Sequence, residues 1–165
     1  MAQTATIAVQ KVVGLLTATD IGLEPVLQLL ATNAGTELAT VPPQNVIAGN
    51  IAFGIMEKST AVKYPVVHVY CDRAQNLLTE KFRTFSGKIR TVAEVRMSQD
   101  RIEGLEDQTR LYVDAITQVL DTNRGSWGQG MFFTGGYEVK FDPVQYGGRN
   151  FLQIAKVAFE VDLSS

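Results

Sequence analysis

The sequence has little cysteine, little net charge and no long apolar run. It therefore lacks the features of a disulfide-bonded protein, of a binder of strongly charged partners and of a membrane protein. Cys71 is the only cysteine, which excludes an internal disulfide. Charged residues make up 19% of the sequence and leave a net charge of −2, which argues against a general nucleic-acid binder. No segment approaches the ~18 consecutive apolar residues of a membrane helix. The first residues lack a basic segment followed by an apolar run, so we expect folding in the cytoplasm.

Ligands for a metal ion are also scarce. His68 is the only histidine, and it stands three residues before Cys71 on a predicted strand. The two side chains therefore point to opposite faces and cannot share a metal ion. We expect no metal site, and we expect His68 to lie at the surface or in an interface.

Two glycine-containing segments are partly similar to nucleotide-binding loops, but each fails on geometry. Residues 86–89, SGKI, end as a phosphate loop does, yet Phe82 stands where that loop has its first glycine, and the segment enters a strand. Residues 125–130, GSWGQG, follow a helix and precede a strand, which is the reverse of the dinucleotide fingerprint. We therefore expect no cofactor.

Two clusters of charge have ordinary structural explanations. Glu103, Glu106 and Asp107 fall at the beginning of a predicted helix, where carboxylates interact favourably with the helix dipole. The sequence has one cluster of basic residues: Lys81, Arg83, Lys88 and Arg90. A solvated face is the expectation for them, with a phosphate contact as the alternative. The sequence thus offers no catalytic group, and we expect that the protein is not an enzyme.

The clearest structural signal is the alternation over residues 88–97. One side consists of small or apolar residues: Ile89, Thr91, Ala93, Val95 and Met97. The other side, with Val92 as its one apolar member, carries the charge: Lys88, Arg90, Glu94 and Arg96. A period of two predicts a strand with one buried face.

A helix is predicted directly after this strand. Asp100 and Glu103 have the spacing of a capping box, which predicts that the helix begins at Asp100. Its apolar stripe recurs at helical spacings: Leu105, Tyr112, Ile116, Val119 and Leu120. Asp121, Asn123 and Gly125 predict its end.

Residues 1–43 are predicted to form a helical arm. The first helix covers residues 5–16, and the second has Pro25 in its first turn and Gly35 at its end. Residues 41–43, VPP, exclude a helix and predict an extended connector.

Strand patterns follow from residue 46. One strand is predicted from alternate apolar residues: Ile51, Phe53 and Ile55. A polar connection over residues 57–64 leads to a second strand over residues 66–71, so we predict an antiparallel pair. Residues 73–86 give no clear pattern and receive no assignment.

Residues 123–136 mix glycines with large apolar side chains. This composition predicts a long loop that is mobile in the isolated subunit and becomes ordered at a subunit or tube contact. Its apolar members are Trp127, Met131, Phe132 and Phe133. Alternation then predicts two closing strands, over residues 137–141 and 151–163, with a turn at Gly147 and Gly148. The apolar face of the last strand consists of Phe151, Ala155, Val157, Phe159, Val161 and Leu163.

The order of these elements predicts the fold class. We expect a single α+β domain over residues 1–165, in which a mostly antiparallel sheet is packed by one main helix. It consists of the helical arm, residues 1–43, and a sheet-and-helix core, residues 44–165.

Several of these segments together resemble the tail terminator proteins of long-tailed bacteriophages. The resemblance lies in YPVVHVY at residues 64–70, the strand at residues 88–97, LYVDAI at residues 111–116 and the two closing strands. It covers residues 46–163. It implies a small α+β virion protein that forms a hexameric ring on the last ring of the tail tube, stops tube growth and faces the head connector.

The resemblance also implies a location and partners. The subunit would assemble in the host cytoplasm and lie at the neck end of the virion tail. It would contact other copies of itself, the tail tube protein and the head-tail connector or stopper, while DNA passes through the ring without specific binding.

Alternatives to this function remain open. The long N-terminal arm departs from the family pattern, which leaves open another neck or tail component, such as a head-tail stopper or a tube protein. A small ligand-binding or enzymatic α+β module is the second alternative.

Two sets of residues are candidates for the subunit or tube interface. They are the charged side of the strand and the apolar members of the loop: Lys88, Arg90, Glu94, Arg96, Trp127, Met131, Phe132 and Phe133. Charges of both signs favour a subunit interface over a DNA channel, because mixed charges set orientation and register. We expect at least two of the four charged residues to pair with a neighbouring subunit, and charge reversal at Arg90 or Arg96 to convert the ring into folded monomers.

Overall fold

A computed structural model describes residues 3–59 and 63–165. Four helices are present in these residues: α1 (Thr4–Leu16), α2 (Leu23–Ala34), α3 (Phe53–Ser59) and α4 (Leu105–Thr122). Eight strands are present: β1 (Val46–Ala48), β2 (Val66–Asn76), β3 (Ser86–Gln99), β4 (Gly125–Gly128), β5 (Met131–Phe133), β6 (Tyr137–Phe141), β7 (Gln145–Tyr146) and β8 (Phe151–Ser164). The predicted α+β class is confirmed.

One mixed sheet contains all eight strands, in the order β1-β2-β3-β8-β5-β4, with β6 and β7 also paired to β8. The three long strands, β2, β3 and β8, are antiparallel and bring Val67, Val95 and Ala155 side by side. β8 pairs with β3 along one edge and with β5, β6 and β7 in turn along the other. It is the only described strand with long pairing on both edges besides β3, and it organises the sheet.

Helices α1 and α4 cover one face of this sheet, which we call the inner face. The small and apolar set of β3 is buried there, as predicted: Ile89, Thr91, Ala93, Val95 and Met97. The predicted stripe of α4 is buried against it: Leu105, Tyr112, Ile116, Val119 and Leu120. Side chains on one face recur every 2 residues in strand β3 and every 3.6 residues in helix α4, and the two apolar faces pack together in one core.

The N-terminal helices belong to the same core. Ala8, Val12 and Leu16 of α1 and Leu27 of α2 are buried in it, and α2 packs against α4. The bounds of both helices agree with the predicted ones, and Gly35 ends α2 in the left-handed conformation that glycine adopts without strain. The N-terminal segment is thus packed on the inner face.

The beginning of α4 differs from the prediction. The helix begins at Leu105, and its N-cap is Gly104, with φ of 78° and no side-chain cap. The predicted capping box at Asp100 is wrong because β3 remains paired to β8 as far as Gln99, opposite Phe151. The chain then needs several residues to turn onto the inner face before a helix can begin.

The first predicted strand is correct only at its beginning. β1 ends at Ala48, while Phe53 and Ile55 lie in helix α3, so the predicted strand over residues 51–55 is wrong. The predicted antiparallel pairing is also wrong, because β1 is parallel to β2. A parallel pair needs a crossover, and the segment that contains α3 supplies one. Part of the predicted polar connection, residues 60–62, lies outside the described residues.

The predicted loop over residues 123–136 is a folded hairpin made of β4 and β5. Trp127 and Phe133 pack with Phe159 of β8, with ring centroids 6.3 Å and 5.4 Å from that of Phe159. The Trp127 indole also donates a hydrogen bond to the Asn123 carbonyl oxygen over 2.6 Å. The prediction of a long loop is wrong, because the segment forms two paired strands and its buried aromatic side chains fill the subunit's own core.

The two closing strands are confirmed as β6 and β8, joined through the short β7 and a tight turn in which Gly147 N–H donates to the Asn150 carbonyl over 2.8 Å. The glycine of the segment SGKI also has a structural explanation. A Cβ atom on Gly87 would lie 1.9 Å from the Gln75 carbonyl oxygen on β2, which no side chain can tolerate. That segment lies in β3, as expected when the phosphate loop was rejected.

Candidate interaction surfaces

The charged side of β3 lies on the face of the sheet opposite the helices, which we call the outer face. The structure divides this side into two parts. Glu94 and Arg96 are each only 4% exposed, whereas Lys88 and Arg90 retain access to solvent. The expectation that all four stand on an open face is therefore wrong for Glu94 and Arg96.

The buried part of the outer face forms a network around the Glu94 carboxylate. Arg96 donates to it from Nε over 2.6 Å, and the Tyr70 hydroxyl donates over 3.0 Å. Lys156 Nζ lies 3.5 Å from the same carboxylate. Burial and the adjacent Glu94 raise the pKa of Tyr70, so its hydroxyl stays protonated and can donate. The buried Glu94 carboxylate thus has three polar partners within the subunit, as a buried charge requires.

The polypeptide before α3 closes this network from outside. Arg96 Nη2 donates to the Ile51 carbonyl oxygen over 2.6 Å. Arg96 thereby joins the sheet to a segment 45 residues earlier in the chain, and its charge is neutralised within the subunit. Glu94 and Arg96 therefore stabilise the subunit itself. They could form the predicted contact with a neighbouring subunit only if the segment that contains Ile51 were displaced.

His68 lies in the same layer, opposite Glu94 in the β2–β3 register. It is fully buried, so the predicted surface or interface position is wrong. Burial lowers the pKa of His68, and the adjacent Arg96 lowers it further. Within the described residues, its Nδ1 atom has no hydrogen-bond partner. The imidazole is therefore held neutral inside the sheet.

We expect His68 to make the protein less stable as the pH falls below ~6.5, the ordinary histidine pKa. In the unfolded chain His68 binds a proton at that pH, while the folded chain, with its lowered pKa, stays neutral. The unfolded state then binds more protons, so the free energy of unfolding decreases with decreasing pH. Urea unfolding near pH 7 and near pH 5 measures this effect. The decrease should be smaller in His68→Gln, and an equal decrease in both proteins would contradict the assignment.

The exposed part of the outer face carries ion pairs within the chain. Lys88 Nζ lies 3.1 Å from a Glu160 carboxylate oxygen, and Arg90 lies 2.7 Å from Asp72. Arg73 also pairs with Glu160, over 2.9 Å. The three basic side chains and Glu160 line a groove of about 510 Å³. Lys88 and Arg90 remain accessible for a contact with a neighbouring subunit, although both already have partners.

The second set of interface candidates is largely buried. Trp127, Met131 and Phe133 lie in the core, so their predicted role as exposed anchors is wrong. Phe132 points the other way, because neighbouring residues on a strand face opposite sides, and it is 48% exposed. Of this set, Phe132 alone remains available to a partner.

A surface that the sequence did not assign lies at the end of the β2–β3 hairpin, residues 77–85, which we call the hairpin tip. Three large apolar side chains are exposed there: Leu77, Leu78 and Phe82. Phe82 is the most exposed of them, at 103% of the reference value. Leu78 and Phe82 have positive φ, of 48° and 65°, which is uncommon for such residues.

The base of the hairpin tip is firmly held. The Asn76 carboxamide oxygen accepts hydrogen bonds from Leu78 N–H and Ser86 N–H, over 3.2 Å and 3.1 Å. The Ser165 carbonyl oxygen accepts from Phe85 N–H over 3.0 Å. The tip thus presents apolar side chains on a fixed base. The sequence indicated the hairpin tip only through the apolar residues within residues 73–86. These residues show no regular alternation, so the sequence did not predict that they are exposed in a hairpin.

In residues 3–59 and 63–165, no group of three or more His, Cys, Asp or Glu side chains is placed to hold a metal ion. None of the helices described is both long and apolar enough to span a bilayer.

The chain matches no protein-family model. It also matches no curated protein.

Proposed function

We propose that this chain is a structural protein of a long-tailed bacteriophage, a tail terminator that forms a ring of six subunits at the neck end of the tail tube. In this role it caps the tube and joins it to the head connector. Its partners are other copies of itself, the tail tube protein and the connector or stopper, and DNA passes through the ring. The α+β fold with its large sheet agrees with the resemblance on which the proposal rests.

The observation that carries the proposal is the hairpin tip. The subunit already has a complete core that includes both N-terminal helices and the β4–β5 hairpin. It nevertheless keeps Leu77, Leu78 and Phe82 in solvent on a firmly held turn. Burying one such side chain stabilises a contact by about 1.5–3 kcal/mol. Clustered exposed apolar residues of this kind mark interaction sites in assembling proteins.

The outer face is compatible with DNA passing through a ring. Lys88 and Arg90 are each neutralised by a carboxylate. A lining of unpaired basic residues would hold the duplex by releasing counterions. Ion-paired lysine and arginine residues avoid that retention.

The proposal predicts a defined oligomer of the purified protein. Native mass spectrometry should give a multiple of the 18.1 kDa chain, and negative-stain images should show rings. In virions that carry the protein, antibodies against it should label the neck end of the tail and not its length, which distinguishes a terminator from a tube protein. A monomer at all concentrations would contradict the ring.

One observation favours the ligand-binding alternative. The groove of about 510 Å³ on the outer face is large enough for a small molecule. Its cationic side chains, however, already pair with Glu160 and Asp72, so a charged ligand would have to displace these partners. A monomeric mass together with a ligand-induced rise in melting temperature would favour this alternative.

A further inference from the structure

Besides the hairpin tip, which has basic residues beside its apolar side chains, the subunit has a concave surface. That surface is mostly uncharged, and acidic residues lie in it or next to it. A cleft of about 330 Å³ lies between the end of α1 and the beginning of α2, and we call it the α1–α2 cleft. Its lining is mostly apolar or uncharged: Leu16, Thr19, Pro25, Gln28, Val41 and Pro43. The cleft is open to solvent and large enough for an aromatic side chain.

The charges around the two surfaces are complementary. Lys81 and Arg83 stand on either side of Phe82 at the hairpin tip, and the Glu80 carboxylate, 3.5 Å from Arg83, offsets one of these two charges, so the tip keeps a net positive charge. Glu24 lines the α1–α2 cleft, and Asp20 follows the lining residue Thr19. In residues 3–45 the only basic side chain is that of Lys11, so the helical segment around the cleft is acidic. Such an arrangement steers and orients an association.

The tip and the cleft of one subunit lie at opposite ends of β2. The tip follows Asn76, the last residue of β2. The cleft residue Pro43 lies near the beginning of the strand, because Asn45 donates a hydrogen bond to the Pro65 carbonyl over 3.0 Å. A strand of this length spans ~33 Å. A tip therefore cannot enter the cleft of its own subunit.

We propose that the hairpin tip of one subunit inserts Phe82 into the α1–α2 cleft of a second copy of this chain. The contact joins two different surfaces, so every added copy leaves one free tip and one free cleft. Such a head-to-tail contact generates a ring when the rotation between copies closes. The inference rests on the proposed ring and names the contact that builds it.

Phe82→Asp tests the tip without disturbing the fold. Phe82 makes no contribution to the core, and aspartate tolerates its positive φ. We expect monomers at concentrations where the unchanged protein is entirely in rings, with an unchanged circular dichroism spectrum. Leu78→Asp and Ile55→Asp form a matched pair, because the two side chains are 64% and 63% exposed. Leu78→Asp should weaken the ring, whereas Ile55→Asp, on α3, should leave it intact.

Mixing two variants tests the partner surface. Gln28 is exposed and lines the cleft, so Gln28→Trp should fill the cleft, keep the fold and give monomers. In an equimolar mixture, Gln28→Trp supplies an intact tip and Phe82→Asp supplies an intact cleft, so each pair of subunits can form one contact. Native mass spectrometry should then show a heterodimer of twice 18.1 kDa that does not grow.

The outcomes separate this inference from the proposed function. If the unchanged protein forms rings and Phe82→Asp forms the same rings, or if the mixture stays monomeric, the tip-to-cleft contact is wrong and the ring stands. If the unchanged protein is monomeric at all concentrations, the proposed ring itself is wrong.

Discussion

Replacing Arg96 with glutamate should unfold the subunit, with a loss of stability on the order of 3–5 kcal/mol or more. Arg96 is buried, and it provides the closest cation to Glu94 as well as the hydrogen bond to the Ile51 carbonyl. A glutamate at this position would place a second carboxylate beside Glu94 without a cation. The loss is a large part of the 5–15 kcal/mol that stabilises an ordinary domain.

Arg90→Glu is the matched control for this change. Arg90 lies on the same side of β3, but its side chain is about one-third exposed and its pair with Asp72 meets solvent. Exposed pairs contribute about 1 kcal/mol or less. Urea unfolding should therefore separate the two variants clearly. Similar midpoints for both would mean that the cover over Arg96 opens readily in solution.

Removing both charges distinguishes an ion pair from a packing effect. In the double variant Glu94→Gln with Arg96→Met, no buried charge is left without a partner. Replacing a buried pair with uncharged groups is often neutral or stabilising, whereas breaking it on one side is costly. We expect the double variant to be markedly more stable than Arg96→Glu. Equal instability would contradict the electrostatic explanation.

Replacing Phe159 with aspartate should abolish folding. Phe159 lies on the inner face and packs edge-on against Trp127 and Phe133. An aspartate there would bury a carboxylate without a partner, at a cost of several kcal/mol, and would also remove the aromatic contacts. Val95→Asp, at an equally buried position on β3, should have the same effect. Circular dichroism and the yield of soluble protein measure the outcome.

Two milder changes make this prediction specific. Phe159→Ala leaves a cavity but no charge, and it should cost about 3–5 kcal/mol. Phe132→Ala changes an aromatic side chain that is half-exposed in the same sheet, so it should change stability by about 0.5 kcal/mol or less. Folded Phe159→Asp with unchanged melting would mean that the inner face of β8 is assigned wrongly.

Elements that depend on neighbouring residues could be predicted from the sequence. The alternation in β3 and β8 and the stripe on α4 follow from side-chain geometry within one element, so their inner faces were predicted correctly. The end of α2 at Gly35 has the same local origin, because glycine adopts the left-handed conformation without strain.

The candidate site was predicted poorly because alternation identifies a face but not what covers it. Arg96 is buried by the Ile51 carbonyl, and Trp127 is buried by Phe159, and in both cases the partner is distant in the chain. The composition of residues 123–136 could equally describe a loop that binds a partner or a hairpin that completes a core. Only the pairing of β5 with β8 decides between them.

The sequence by itself determined the α+β class, the two N-terminal helices, the buried faces of β3 and β8, and the stripe of α4, because each depends on a local period. The tertiary structure decided the direction of β1, the burial of Glu94 and Arg96, and the exposure of Phe82 at the hairpin tip. These properties depend on which distant segments of the chain contact each other. A local pattern of side chains does not determine those contacts.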